Sequence, residues 1–243
     1  MMTVLRVLMY TEALCFGLLV FSAISHKFEI LPFNAAFGGF ALGLLTLFMV
    51  VLVGIGLLVW GLVASHQLNR AFLGAIVLVA ALPLVAVVLL LGKGLMSPRI
   101  HDISTDTENN IAFSRALSLR STSENSLEFP LPSVVGQQKG HYPHLQSLQA
   151  SFTPQQSYER AIGVAESLGW KITYLNNETL TIEAIDETAL FGFKDDVVVR
   201  ITGSDSGSMI DVRSVSRVGV SDLGANAARI SKFLSKLSSQ NIH

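Results

Sequence analysis

The run "RSVSRVGVSDLGANAARI", Arg213 to Ile230, gathers Arg213, Arg217 and Arg229 with Ser221, Asp222 and Asn226 around two spaced glycines. Two kinds of chemistry fit it. If a helix begins near Ser221 or Asp222, the backbone N–H groups around Gly219 and Gly224 together with the arginines can bind a phosphate or carboxylate. Alternatively, the arginines pair with Asp195, Asp196, Asp211 and Asp222 and act as internal fasteners. The second reading is the simpler, because an acidic Asp222 at the cap would itself occupy the positive helix end.

A second cluster, "PRIHDISTD", brings Arg99, His101, Asp102 and Asp106 close in sequence, which suits acid–base work or a metal. No second histidine stands at helical or strand spacing, so the pattern matches no ligand signature and no metal is expected. His141 and His144 in "HYPH" flank a proline in an expected loop, where solvated histidines are common. Ser221 lacks the nucleophile elbow, Cys15 lies in an apolar stretch, and neither a Walker loop nor a dinucleotide fingerprint occurs. No catalytic residue and no cofactor are therefore assigned. Asp195, Asp196, Arg200 and Asp211 complete a candidate polar network with Arg99, His101 and Asp102.

These groups sit in only part of the chain. Of 243 residues 50% are hydrophobic and 14% charged, with a net charge of -1, which points to a membrane protein and away from nucleic acid. The lone cysteine excludes an intramolecular disulfide. The apolar residues pile up in Val7 to Ser25, Phe37 to Ala64 and Ala71 to Leu91, each long enough to cross about 30 Å of hydrocarbon as helix. A cleaved signal peptide is the alternative for the first. Its weak charged region, its interruption by Glu12 and the two spans that follow favour retention.

Gly39 and Gly43 form a G-x-x-x-G in the second span, Gly54, Gly56 and Gly61 add small surfaces, and Pro83 should kink the third. Helices packed together, within the chain or with a partner, follow from this. Glu12 is costly in lipid unless neutralised, paired or turned to water. A structural or subunit-contact role suits it better than transport, since the other spans carry no ionisable residue inside. With the N-terminus inside, Arg6 and Arg70 are cytoplasmic while Lys27, Lys93 and Arg99 are outside, a near balance under the positive-inside rule.

Beyond Leu91 the chain turns polar, and prolines spaced through residues 97–152 predict an extended or loop segment lying across a domain. "STSENSL" and "VVGQQKGHYPH" read as surface loops. Thr153, Pro154 and Gln156 form a capping box with proline at the first helical position, Tyr158, Ala161, Ile162, Ala165 and Leu168 repeat at helical spacing, and Gly169 ends the helix. Trp170, Ile172 and Tyr174 then alternate with polar residues up to a turn at Asn176-Asn177, and Leu180, Ile182 and Ala184 alternate after it. "DVVVRIT" and "SMIDVRSV" add two strands. With Gly203 opposite Ser208, Arg200 faces Asp211 and Val198 faces Arg213, placing an ion pair on the face of Asp196. Val197, Val199, Ile201, Ile210 and Val212 lie on the other face, the one built to receive helices. A last helix from Ser221 or Asp222 buries Ala227, Ile230, Phe233, Leu234 and Leu237, leaving Asn226, Arg229, Lys232 and Lys236 off the stripe.

The expected class is a membrane-anchored α+β protein: three transmembrane helices, then a four-stranded antiparallel sheet with two main helices on one face. The divisions are residues 1–96 (spans about 7–25, 37–64 and 71–91), 97–152, and an α-β-β-β-β-α domain over 153–243.

"PRIHDISTDTEN", "FGFKDDVVVRI" and "DVRSVSRVGVSDLGANAARI", in that order, resemble the bacterial and plastid family called domain of unknown function 1499 over about residues 98–237. The resemblance implies no activity. It implies that the domain follows an export signal, lipid anchor or spans, hence a place in the bacterial cytoplasmic membrane with the domain in the periplasm. The resulting expectation is a non-catalytic envelope protein, an interaction or ligand-binding module serving as accessory subunit of a membrane complex, with the bilayer and a membrane-protein partner or a second copy as companions. The alternative is an envelope enzyme that binds an anionic substrate through Arg213, Arg217 and Arg229, with His101 or Asp102 as acid–base.

Overall fold

The computed structural model describes residues 2–63, 69–92 and 94–239. Ala64 at the end of the second expected span, Lys93 of the charge balance, and residues 240–243 of the expected last domain lie outside the described residues. The chain divides into two compact units, Met1–Lys93 with Ala189–Gly192, and Gly94–Thr188 with Phe193–His243.

The first unit is built from helices α1 (Met2–Lys27), α2 (Phe33–Val63) and α3 (Arg70–Leu91), each long and apolar enough to cross a membrane. Asn69 starts α3 by accepting the N–H of Phe72, and the helix continues through Pro83. Leu19, Leu47, Val50, Leu73, Ile76 and Ala80 form the shared interior. The small residues let the backbones approach: a Cβ on Gly39 would lie 2.6 Å from Ser22 Oγ, and one on Gly43 would lie 2.9 Å from Leu19 Cδ2. The G-x-x-x-G surface is thus used within the chain, against α1. Gly54 likewise faces Val77 of α3. Glu12 points into this bundle, 7% exposed, and its Oε1 has no hydrogen-bond partner among the described residues.

The second unit carries β1 (Asp102–Ser104), α4 (Arg115–Leu119), α5 (Pro132–His141), β2 (Leu148–Ala150), α6 (Pro154–Ser167), β3 (Lys171–Asn176), β4 (Thr181–Glu187), β5 (Lys194–Ser204), β6 (Gly207–Ser216) and α7 (Ala225–Ser239). The sheet order is β1-β6-β5-β4-β3, with β2 also pairing β6, and every pairing is antiparallel. Six strands therefore replace the expected four. The two additions come from the proline-spaced segment and are three residues each, too short for alternation to be legible. Most of "VVGQQKGHYPH" is likewise helical, in α5.

The capping box at Thr153 and Gln156 is present, and Gly169 takes the left-handed conformation that ends the turn after α6. In β5 and β6, Gly203 faces Ser208, so Arg200 stands opposite Asp211 and Val198 opposite Arg213. Val197, Val199, Ile201, Ile210 and Val212 pack against Tyr158, Ala161 and Val164 of α6 and Ile230, Phe233 and Leu237 of α7. The opposite face is covered as well: Ile111, Phe113, Ala116 and Leu127 close over Val198 and Val215.

Candidate functional site

Because strand side chains alternate, β5 and β6 send their charged residues to both faces. Arg200, Asp211, Arg213 and Asp196 point to the face covered by residues 105–128, whereas Asp195 and Ser214 point toward α7. The six residues of the candidate anion site are split by this geometry. Arg213 and Arg217 lie on one side of the sheet and Arg229 on the other.

Arg213 has no exposed surface. Its Nε and Nη2 donate to the two carboxylate oxygens of Asp102 at 3.0 and 2.7 Å, and its remaining N–H groups reach Asn110 Oδ1 and the carbonyls of Ile111, Leu127 and Glu128. The Phe113 ring lies 5.4 Å from its guanidinium carbon. One side chain thus ties β6 to β1 and to two distant loop segments.

Arg217 grips Asp196 in the same bidentate manner at 3.0 and 2.8 Å, and Arg120 donates to the same carboxylate at 2.7 Å. Arg120 also holds the carbonyls of Asn125 and Val215, while Asn125 Nδ2 donates to those of Ser216 and Gly219. Glu183, 1% exposed, accepts the backbone N–H groups of Ser114, Arg115 and Ala116 and so fixes the start of α4. On the α7 side, Arg229 donates to Asp186 at 2.6 Å and to Asp195 and Ser214. Asn226, fully buried, donates to His101 O and Ser216 Oγ. Both were expected away from the buried stripe of α7; they instead line a second buried face.

The helix also starts later than expected, at Ala225. Asp222 accepts from Gly224 N and Asn226 N, each at 2.8 Å, and Ser221 Oγ accepts from Leu223 N. Burial pushes the Asp222 carboxyl above the usual carboxylate range, opposed by those two N–H groups; nearby Asp195 raises it further and Arg229 opposes. His101 takes part through its carbonyl oxygen, half-buried, while Arg99 is exposed. Among the described residues no group of His, Cys, Asp and Glu is arranged to hold a metal ion.

Arg200 bridges Asp211 at 2.9 Å and Asp106 at 2.7 Å. Burial raises the Asp106 carboxyl, but the N–H groups of Asn109 and Glu108 and the Arg200 guanidinium outweigh it and hold it at about 2, below the ordinary 3.8. A depressed carboxyl contributes stability above its unfolded pKa and loses it as pH falls through the folded value. Asp106→Asn should therefore cost about 2 kcal/mol at neutral pH, a deficit that vanishes as pH drops from about 4 to about 2. Urea unfolding of the full-length protein at a series of pH values checks this; an equal deficit throughout would refute it.

Sequence reasoning missed Arg120, Asn125, Asp186, Glu183 and Gln138. Arg120 and Asn125 sit in a stretch that reads as loop, and Glu183 occupies the polar side of an alternating strand, which reads as solvent-facing. Gln138 pairs with both backbone groups of Ser104, as a neighbouring strand would, from within α5. None carries a local signal, since the carboxylates, guanidiniums and backbone groups that fix them lie mostly far away in sequence.

One opening on the second unit is a groove of about 580 Å³ beside α4 and strands β3 and β4. Arg115, Leu119, Lys171, Ile185, Glu187 and Arg217 are among the residues that line it.

Fold and site together define a protein of three membrane-span-like helices and an α+β domain in which Arg213, Arg217 and Arg229 are engaged in buried ion pairs. The family model described as Protein of unknown function (DUF1499) matches residues 102–237, more than half of the 243, and the chain belongs to this family. An X-ray crystal structure of protein MLL2253 from Mesorhizobium loti is similar at 13% sequence identity, covering 38% of this chain and 91% of that one with a TM-score of 0.32. No curated protein matches the chain.

Proposed function

We propose that this is a non-catalytic protein of the bacterial envelope, anchored in the cytoplasmic membrane by residues 1–96, whose periplasmic α+β domain binds a partner as an accessory subunit of a larger membrane assembly. The observation that supports this reading is the engagement of the candidate arginines. Arg213, Arg217 and Arg229 are each at most 8% exposed and each is satisfied by a carboxylate, so they have no group left for substrate charge. One open polar surface of the domain is the groove beside α4 and β3, where the exposed cations Arg115 and Lys171, with the acidic Glu187 also in the lining, flank half-buried Leu119, Ile172 and Ile185. Such a surface fits an acidic segment with apolar side chains on a partner protein.

Purification of the full-length protein from its native membrane in mild detergent tests the reading. A reproducible companion is expected, and the doubly charge-reversed Arg115→Glu/Lys171→Glu protein should fold and lose it. A monomer without companion, or a companion indifferent to the double substitution, would remove the support for this surface. Cysteine labelling of intact cells at Ser206, in the β5–β6 turn, should place the domain outside the cytoplasm.

A further inference from the structure

The path of the sheet ends at β1 on one side and at β3 on the other. β1 is closed from within the chain, where the Gln138 amide bonds to both backbone groups of Ser104 at 3.0 and 2.6 Å. β3 has a neighbouring strand on one side only, β4. The register shows which of its backbone groups are left over. Ile201 N donates to Leu180 O, so alternation along β4 turns the backbone of Ile182 and Ala184 to β5 and that of Thr181, Glu183 and Ile185 to β3. Their partners Asn176, Tyr174 and Lys171 are thereby engaged, and a bulge between Ile172 and Tyr174 takes up the extra residue. The N–H and C=O groups of Ile172 and Leu175 point out of the sheet, and no group among the described residues bonds to them.

The two faces of this edge differ in chemistry. On one, Leu175 stands opposite buried Ile182 and is 47% exposed, while half-buried Ile172 packs against the same core. On the other, Lys171 stands opposite Ile185 and lines the groove together with Arg115. Both cations are exposed, and neither has a carboxylate partner among the described residues. Glu187, the acidic group in the lining, stands opposite Lys194 of β5.

Given the reading of this groove as the partner site, on which the inference rests, we propose that β3 takes up a further antiparallel strand, an extended segment of a partner protein in which acidic and apolar residues alternate. Side chains of an added strand fall alternately on the two faces. Apolar residues opposite Ile172 and Leu175 extend the core face and turn their backbone groups to β3, whereas the acidic residues between them fall on the side of Lys171 and Arg115. Main-chain bonds supply the affinity of such a joint and the alternate side chains its specificity. Charge complementarity selects an acidic segment over a second copy, because β3 itself carries Lys171 and no carboxylate to meet the cations of another copy.

The test uses the full-length protein in mild detergent and, as probe, a fluorescein-labelled synthetic peptide of alternating glutamate and valine, with binding read by fluorescence anisotropy. Saturable binding is expected. Methylating the backbone nitrogens of the valines should weaken it about tenfold, the scale of a lost backbone hydrogen bond, and methylating those of the glutamates less than about twofold. These probes decide the matter without altering the protein. Leu175→Pro removes an outward N–H that the sheet does not use, and should weaken binding about tenfold relative to Leu175→Ala while far-ultraviolet circular dichroism stays unchanged. Absence of binding, equal effects of the two methylation patterns, or the reverse order overturns strand addition. Loss of the copurified companion in Arg115→Glu/Lys171→Glu but not in Leu175→Pro also overturns it, and leaves the groove standing as the partner site. A concentration-dependent dimer that Leu175→Pro abolishes means that a second copy occupies the edge, and the acidic segment fails.

Discussion

Arg213→Met in the full-length protein is expected to destabilise the sheet domain by about 3–5 kcal/mol, the range for breaking a buried pair by removing one partner. The substitution leaves Asp102 charged and nearly buried, and strips hydrogen bonds from Asn110 and from the carbonyls of Ile111, Leu127 and Glu128. Against a typical domain stability of about 5–15 kcal/mol this is a large fraction. Arg213→Lys should rescue little, because an ammonium cannot span a bidentate carboxylate and three carbonyls at once. Trp170, stacked on Phe233 with ring centroids 5.0 Å apart, reports unfolding of this core once Trp60 of α2 is replaced by phenylalanine. A loss below about 1 kcal/mol, the scale of an exposed ion pair, would show that Arg213 is not the fastener described.

The second large effect is expected at Asp196, which is 1% exposed and neutralises Arg120 and Arg217 together. Asp196→Asn keeps the shape but leaves two nearly buried guanidiniums without their shared anion, at a cost of about 3–5 kcal/mol. Because both arginines lean on one carboxylate, the effects must not add. Combining Asp196→Asn with Arg217→Gln should recover more than about 1 kcal/mol relative to the sum of the single variants. Additivity within about 0.5 kcal/mol would mean that the pair is not coupled and that Arg120 alone holds the loop.

Both experiments also bear on function. Were Arg213 and Arg217 substrate ligands, their replacement would spare stability and abolish binding, since functional groups poised for a ligand are left unpaired in the free protein. The bidentate geometry predicts the opposite order of effects.

Much of this was legible in the residues. The apolar runs, the capping box at Thr153, the alternation in "DVVVRIT" and "SMIDVRSV", and the register that sets Arg200 against Asp211 each depend on neighbours within a few positions or across one short turn. Other features were not legible. Arg213 and Asp102 are 111 residues apart, Arg200 and Asp106 are 94 apart, and Arg120 and Asp196 are 76 apart. With several arginines and aspartates available, composition admits many pairings, and only the positions of the strands select one.

By itself the sequence determined the partition between oily helices and a sheet domain, the strand register and the apolar stripes, because these follow from the short-range periods of helix and strand. Tertiary structure alone decided that β1 and β2 join the sheet, that its polar face is roofed over, and which carboxylate each arginine takes. The physical reason is that burial of a charge is a property of everything packed around it, and for these residues the packing comes from segments remote along the chain.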